Sequence, residues 1–371
     1  MSTSAPNRIA SGFDSVLSFF TSDTFAYIVK RVLQGLVTLL LASVLCFALI
    51  QLAPGDYLST LKENPKISPE RIEQLKRQFG LDKSGVEQYF RWLLQILGIN
   101  FKPTTVLNQE LWLPRWSLKD MGNFGTSFVY NRSVSSLLWE RVAATLLLAI
   151  ASLIMTWAIA VPMGIIGAVN QNRLVDRIFR VISYIGQGFP SFIAALLLLI
   201  FAQNTAPLFP VGDMTSIDFN DLTLLGKIRD IAWHMVLPTL ALSITSFAGL
   251  QRIMRGQLLD VLRQDYIQTA RAKGLPENQV IYIHALRNAI NPLITLLGFE
   301  FAALLSGSFI TEYFFNWPGL GRLIYQALLA QDIYLVMASL MIGAAMLIAG
   351  NLLADLLLKV VDPRIRLGAD E

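Results

Sequence analysis

The chain has little charge, one cysteine and two histidines, and each shortage excludes a class of protein. Charged side chains make up 15% of its 371 residues, against roughly 25% in an average soluble domain. This deficit excludes an ordinary soluble enzyme. The single cysteine, Cys46, excludes an internal disulfide framework and a zinc site made of several cysteines. The sequence contains no Gly-x-x-x-x-Gly-Lys-Ser/Thr loop, so we expect no nucleotide to be bound in that way.

Apolar residues make up 54% of the chain and are concentrated in long runs. A helix needs roughly 20 apolar residues to cross a bilayer, because each residue advances it by only about 1.5 Å. We predict an all-α membrane protein whose six spans are residues 32–52, 142–169, 181–202, 231–251, 289–311 and 334–358. The first run is too long for a signal-peptide core and is predicted to be an uncleaved helix. Four runs contain a proline that should bend them, at Pro162, Pro190, Pro238 and Pro292.

Lysine and arginine are distributed unevenly between the two sides of these spans. Short loops rich in these residues stay cytoplasmic. The basic side chains favour a cytoplasmic placement of segments 1–31, 170–180, 252–288 and 359–371, whereas loops 203–230 and 312–333 hold only Lys227, Arg229 and Arg322. Both termini are therefore predicted to be cytoplasmic, and residues 53–141 form a large periplasmic loop. The net charge of +4 is assigned to the inner membrane face, so no nucleic-acid partner is expected.

The large outer loop, residues 53–141, contains signals for two short helices. Ser68 precedes a proline and should start a helix that ends near Phe79. Ser84 matches a capping box and should start a second helix that ends near Gly98. Aromatic residues in the second helix suit docking on the outer surface of the bundle. The residues after it show no convincing periodicity.

The inner loop between the fourth and fifth spans contains signals for a very short helix. Asp265 can cap a helix from Tyr266 to Lys273, which Gly274 would close in the left-handed conformation. A second helix should begin at Pro276 and continue into the fifth span. A helix of two turns is not stable alone, so we expect it to pack against another protein.

The same inner loop resembles the Glu-Ala-Ala loop of ABC importer permeases. The matching residues are Gln268, Thr269, Ala270, Arg271, Ala272, Lys273 and Gly274, followed by His284, Ala285, Leu286 and Arg287. The loop departs from the general pattern of these permeases at Gln268, Thr269, His284 and Arg287. In these departures it is similar to the dipeptide, oligopeptide and nickel branch of the family. Five further stretches agree with that branch: Leu52, Ala53, Pro54, Gly55 and Asp56; Leu237 to Leu242; Asp265 and Tyr266; Trp317, Pro318, Gly319, Leu320 and Gly321; and Asp362, Pro363, Arg364, Ile365 and Arg366.

The resemblance implies a type I ABC importer permease fold in a bacterial inner membrane. It implies a non-catalytic subunit that binds no cofactor or metal and works with a second permease, two ATPases that use ATP and Mg, an external binding protein and membrane lipid. It assigns coupling to the ATPase to Asp265, Tyr266, Thr269, Ala270, Arg271, Ala272, Lys273 and Gly274. Residues 99–120 look like an insertion relative to the family.

Two acidic residues fall inside the predicted spans. Glu300 lies midway along the fifth span, where a charge costs a few kcal/mol. It is a candidate to line the translocation path and meet substrate amines; a protonated carboxyl bonded to a neighbouring helix is the alternative. Asp355 is expected to pair with Lys359 one turn later. His234 and His284 should lie near opposite faces, so one metal site cannot use both.

Two other functions are compatible with parts of this pattern. A membrane-embedded enzyme would need a nucleophile and a base at matching depth, and the sequence marks no such pair. A scaffold that only recruits cytoplasmic proteins would need the short inner helix but would leave Glu300 and the bent helices without a role. A permease subunit accounts for the bent helices, the short helix and the missing nucleotide loop together.

Overall fold

The computed structural model describes residues 23–52, 58, 68–106, 109–205 and 209–361. The described chain is mostly helical. Its helices are α1 (Asp23–Leu52), α2 (Pro69–Gln78), α3 (Gly85–Ile96), α4 (Val134–Val169), α5 (Leu174–Gly188), α6 (Ser191–Asn204), α7 (Leu224–Leu262), α8 (Asp265–Ala272), α9 (Glu277–Ala289), α10 (Asn291–Phe314), α11 (Leu320–Leu329) and α12 (Ile333–Val361). The motifs at residues 53–56 and 362–366 lie outside the described residues.

Four of these helices, α1, α4, α7 and α12, are long and apolar enough to cross a membrane. Two further spans are possible if each of two bent pairs counts as one. The α5–α6 pair bends by 101° next to Pro190, and the α9–α10 pair bends by 41° next to Pro292. Pro162 and Pro238 instead lie inside the uninterrupted helices α4 and α7. The third predicted run is thus two helices rather than one, because a proline cannot donate the backbone hydrogen bond that would continue the helix.

The centre of the molecule is the long packed pair α4 and α7. Buried apolar side chains from this pair meet α8, α9 and the start of α10 at one end of the bundle. We call this group the inner cluster: Ala160, Ile165, Ala168, Leu250, Met254, Leu258, Ile267, Ala270, Val280, Ala285, Ala289 and Leu293. The short helices between α7 and α10 are therefore part of the packed core at that end.

The two helices predicted in the outer loop are confirmed, and the second docks on the bundle. The Ser84 hydroxyl accepts a hydrogen bond from the Glu87 amide and caps α3. On the other side of α3, Trp92 is 1% exposed and packs in a cluster with Phe47 of α1 and Met337 of α12. Burial of such aromatic side chains fixes α3 on the first and last long helices.

The stretch of the outer loop without periodicity forms a β-hairpin, which was not predicted. Strand β1 (Leu97–Val106) pairs with β2 (Gln109–Met121) in antiparallel register, with Ile99 opposite Trp116. Each strand contains a proline, Pro103 in β1 and Pro114 in β2. Neither sequence therefore shows a clean alternation of apolar and polar residues. The hairpin depends on pairing between two segments, which periodicity within one segment does not reveal. The second outer helix consequently ends at Ile96 rather than near Gly98.

Candidate coupling site

The short inner helix exists and lies with one face in the inner cluster. Helix α8 buries Ile267 completely and Ala270 to 9% exposure. Burial of an isoleucine side chain contributes about 1.5–3 kcal/mol, which a two-turn helix needs because it is not stable alone. The opposite face is exposed and presents Tyr266, Thr269 and Lys273 to solvent. The helix therefore has a buried back and an exposed front.

The start of α8 differs from the prediction by one residue. Gln264 occupies the capping position, without a side-chain cap, and Asp265 is the first helical residue. The prediction that Asp265 caps the helix is thus wrong. Its carboxylate lies in the first turn, where negative charge is favourable next to the free amides. The Thr269 hydroxyl donates back to the Asp265 carbonyl over 2.9 Å.

The end of α8 is closed by Gly274, as predicted. Its φ of +77° is in the left-handed region. The Gly274 amide donates to the Arg271 carbonyl over 2.9 Å, and the Leu275 amide reaches the Ala270 carbonyl over 3.4 Å. These two bonds form a Schellman cap, which satisfies carbonyls that the helix leaves free. A Cβ at Gly274 would meet no atom within 4 Å, so backbone conformation, not space, requires glycine here.

Two side-chain contacts hold α8 against α9. Arg271 donates two hydrogen bonds to the Glu277 carboxylate, over 3.2 Å and 2.7 Å. The hydrogen bonds from the Arg271 guanidinium hold the pKa of the Glu277 carboxyl below its ordinary value. Near the other end of α8, the Asn288 amide donates to the Tyr266 hydroxyl over 2.7 Å. Both ends of α8 are thus joined to α9 by side-chain hydrogen bonds.

The predicted second helix, α9, does not run smoothly into the fifth span. It begins at Glu277, one residue later than predicted, with Pro276 in the capping position. It contains a π-helical stretch, Val280–Ala285, and stops before Ile290. In that stretch Val280, Ile281 and Ala285 are buried, whereas His284 is exposed. The wider π-turn changes the angular spacing of its side chains, which a regular helical pattern does not anticipate.

A buried ion pair beside the inner cluster was missed by the sequence analysis. Asp176 of α5 is fully buried and accepts hydrogen bonds of 2.6 Å and 2.8 Å from Arg255 of α7. The Asn172 amide donates to the same carboxylate over 2.9 Å. Two turns away on α5 and one turn away on α7, the Ser183 hydroxyl donates a hydrogen bond to the Gln251 side chain over 2.7 Å. The sequence signal for this ion pair was that segment 170–180 contains a single acidic residue among three arginines.

Several known proteins are similar in sequence to this chain over most of its length. The profile of the family described as binding-protein-dependent transport system inner membrane component matches residues 160–367, and the profile of its N-terminal part matches residues 24–149. The oligopeptide transport system permease protein AppB of Bacillus subtilis (strain 168) is 36% identical over 92% of this chain and 99% of its own length. The chain belongs to this family.

Two further comparisons differ in strength. The dipeptide transport system permease protein DppB of Escherichia coli (strain K12) is 33% identical, over 92% of this chain and 98% of its own length. A solved chain of the inward-facing MetNI methionine ABC transporter aligns with a TM-score of 0.49 and 17% identity, over 61% of this chain and 96% of that chain. As a family member, the chain is a non-catalytic permease subunit, an inner-membrane component that assembles with other subunits of an ABC importer.

Glu300, the predicted pathway residue of the permease, lies on α10 and is half-buried. One oxygen of its carboxylate accepts a hydrogen bond of 2.9 Å from the Trp157 indole of α4. Asp355, the other acidic residue of the spans, contacts α1: the Tyr27 hydroxyl donates to it over 2.7 Å and Arg31 lies 3.6 Å away. The expected partner Lys359 has a side chain outside the described set.

A second buried carboxylate of the permease, Glu312 near the end of α10, was also missed. Both Thr145 of α4 and Ser308 donate to its Oε1, over 2.8 Å and 2.9 Å, and the Arg322 amide donates to Oε2 over 3.0 Å. A Cβ at Gly319 would overlap this carboxylate. The loop that begins at Trp317 thus wraps around Glu312, which gives a physical reason for its glycines.

Proposed function

We propose that this permease is the transmembrane subunit of an ATP-driven importer for peptides or related small solutes. Its relatives AppB and DppB are named for oligopeptide and dipeptide transport, and they align with this chain over 92% of its length. The observation that carries the coupling part of the proposal is the exposed front of α8, since its back is anchored in the inner cluster. An exposed surface that is anchored in the core in this way is suited to transmit the movement of a partner protein that binds it.

The proposed topology has six spans, both termini in the cytoplasm and residues 53–141 in the periplasm. Two features support it: each bent helix pair has the length and composition of one span, and the predicted inner segments are richer in lysine and arginine than the short outer loops. In this arrangement the β-hairpin corresponds to the inserted stretch 99–120. It would lie on the side from which a binding protein delivers the substrate.

In the proposed mechanism, the front of α8 fits a groove on an ATPase subunit. Two ATPases, which use ATP and Mg, would draw together on binding ATP and move α8 with them. The Arg271–Glu277 and Tyr266–Asn288 contacts support this step, because they would make α8 and α9 move as one body. A second permease would enclose the other half of the path. ATP changes the populations of the inward-open and outward-open states only through its different affinity for each.

We further propose that Glu300 lines the translocation path and meets substrate amines. Trp157 occupies one carboxylate oxygen, and a carboxylate has acceptor capacity for more donors than one. A peptide ammonium is such a donor. Glu300→Gln keeps an acceptor oxygen but removes the charge, so uptake should fall for cationic amines more than for neutral solutes. Full peptide uptake by Glu300→Gln would overturn this role.

The experiment is reconstitution of the permease in lipid with a second permease, two ATPases and the binding protein. We expect peptide uptake and peptide-stimulated ATP hydrolysis, both dependent on this chain. Recruitment of the ATPase without uptake would favour a scaffold, and nucleotide turnover by the isolated chain would favour an enzyme. Either result would contradict the proposed function.

A further inference from the structure

A crevice of about 360 Å³ lies between α1, α10 and α12. Its polar wall is made of Arg31, Gln34 and Thr38 from α1 and Asn351 and Asp355 from α12. The α1 residues recur at helical spacing and therefore share one face, as the two α12 residues do. Polar residues of both helices thus face one another across the opening.

Two amide side chains in this wall have no hydrogen-bond partner among the described residues. Gln34 and Asn351 lie within the long apolar stretches of α1 and α12, and among the described residues neither side-chain amide has a hydrogen-bond partner. An amide that faces hydrocarbon without a partner costs several kcal/mol. Their common position on the crevice would allow one polar group from outside the chain to bond to both amides.

The mouth of the crevice carries charges of both signs. Arg31 and Asp355 lie 3.6 Å apart, with 48% and 32% of their side chains exposed. The Tyr27 hydroxyl bridges them: it accepts from Arg31 Nε over 2.8 Å and donates to Asp355 over 2.7 Å. The exposed portion of this pair offers a donor surface for an anion beside an acceptor surface for a cation.

The surroundings of the crevice are suited to acyl chains. On α1, Val32 lines the crevice and is 45% exposed, as expected of a helix at the periphery of a membrane protein. Phe299 of α10 lines the crevice and is also largely exposed. An amphiphile could place its polar end in the crevice and its chains along these side chains.

We propose that this crevice binds a phosphatidylethanolamine molecule. Its phosphate would lie at Arg31, its primary ammonium at Asp355, and its glycerol esters and phosphate oxygens near the amides of Gln34 and Asn351. Phosphatidylcholine has no N–H to donate to Asp355, and phosphatidylglycerol has no cation. The zwitterionic headgroup with a primary amine matches both charges.

The test is native mass spectrometry of the purified full-length permease with each of the three lipids. We expect one tightly held phosphatidylethanolamine per chain, and fewer adducts with phosphatidylcholine. Gln34→Leu and Asn351→Leu should each weaken retention by about fivefold, because each removes a hydrogen bond worth about 1 kcal/mol. Gln203→Leu on α6 is the matched control, since Gln203 is exposed and is not among the residues that line the crevice.

Three results would overturn the proposal: equal retention of all three lipids, preference for phosphatidylglycerol, or unchanged retention in both leucine variants. Loss of the adduct on assembly with a second permease would also overturn it, since the face would then be a subunit interface. The proposal rests on the membrane-spanning fold and not on the transported solute. Binding is measured without transport, so its failure is distinguishable from failure of the proposed function.

Discussion

At the scale of single residues, Gly274 shows how one backbone angle can matter more than a side chain. Its surroundings have room for a Cβ, yet its φ is +77°. Other L-residues in this conformation cost roughly 1–2 kcal/mol, whereas asparagine tolerates it better. The angle determines how the chain leaves α8 and therefore where the exposed front of α8 points.

The first prediction concerns this angle. Gly274→Val should reduce ATP-driven uptake by about tenfold, because strain of roughly 1–2 kcal/mol would displace α8 from its support. Insertion in the membrane should be normal, and ATP hydrolysis should be uncoupled from uptake. Uptake and hydrolysis are measured together in proteoliposomes. Gly274→Asn is the control and should retain most coupling; equal activity of the two variants would show that the angle is unimportant.

The second prediction concerns Glu312, whose carboxylate receives three donors in the interior. Glu312→Gln replaces an acceptor oxygen by an NH₂ group that faces another donor. The loss should be about 1–3 kcal/mol of stability, as for a buried group left without its partner. Thermal unfolding in detergent measures it. Glu140→Gln, at a half-exposed ion pair with Arg132, should have little effect, and equal destabilisation by both changes would contradict the prediction.

At the scale of secondary-structure elements, α5 and α7 behave as one unit because of polar contacts along their common length. The Asp176–Arg255 pair lies at one end, followed by the Ser183–Gln251 hydrogen bond. The Arg252 guanidinium also donates to Gln187 over 3.1 Å. Since α7 leads directly into α8, we expect a movement of α8 to be transmitted through α7 to α5 as far as the bend at Pro190.

The third prediction tests this connection. Asp176→Ala should destabilise the permease by about 3–5 kcal/mol, because it leaves the largely buried Arg255 without its partner. Thermal unfolding and the ratio of uptake to ATP hydrolysis both measure the effect. Arg177→Gln on the exposed side of α5 is the control. The double variant Asp176→Ala, Arg255→Met should recover part of the stability; no recovery would mean that the pair acts differently.

Several elements could be predicted from local sequence. Helices α2 and α3 follow from their serine caps, and the end of α8 follows from Gly274, since each signal lies within a few residues of the structure it sets. The β-hairpin could not be predicted, because its strands are stabilised by pairing with each other and not by their own pattern. The bend at Pro190 was expected as a kink, but its angle of 101° depends on the helices around it.

At the scale of the whole molecule, the orientation in the membrane decides whether α8 can meet an ATPase. The fourth prediction uses cysteine labelling in a Cys46→Ser background, which removes the natural thiol. Lys273→Cys on α8 and Asp218→Cys in the loop before α7 are both exposed positions. An impermeant thiol reagent should label Asp218→Cys in intact cells and Lys273→Cys only after permeabilisation. The reverse pattern would contradict the proposed topology and the coupling role of α8.

The sequence by itself determined a helical membrane protein with a two-turn helix closed by glycine, and its motifs resembled those of a permease family. Hydrophobicity, loop charge and caps act locally, so they can be read along the chain. Only the tertiary structure decided that Asp176 binds Arg255, that Glu312 lies inside the loop at Trp317, and that Asp355 contacts α1. Each of these carboxylates contacts residues far away along the chain, and packing alone selects such partners.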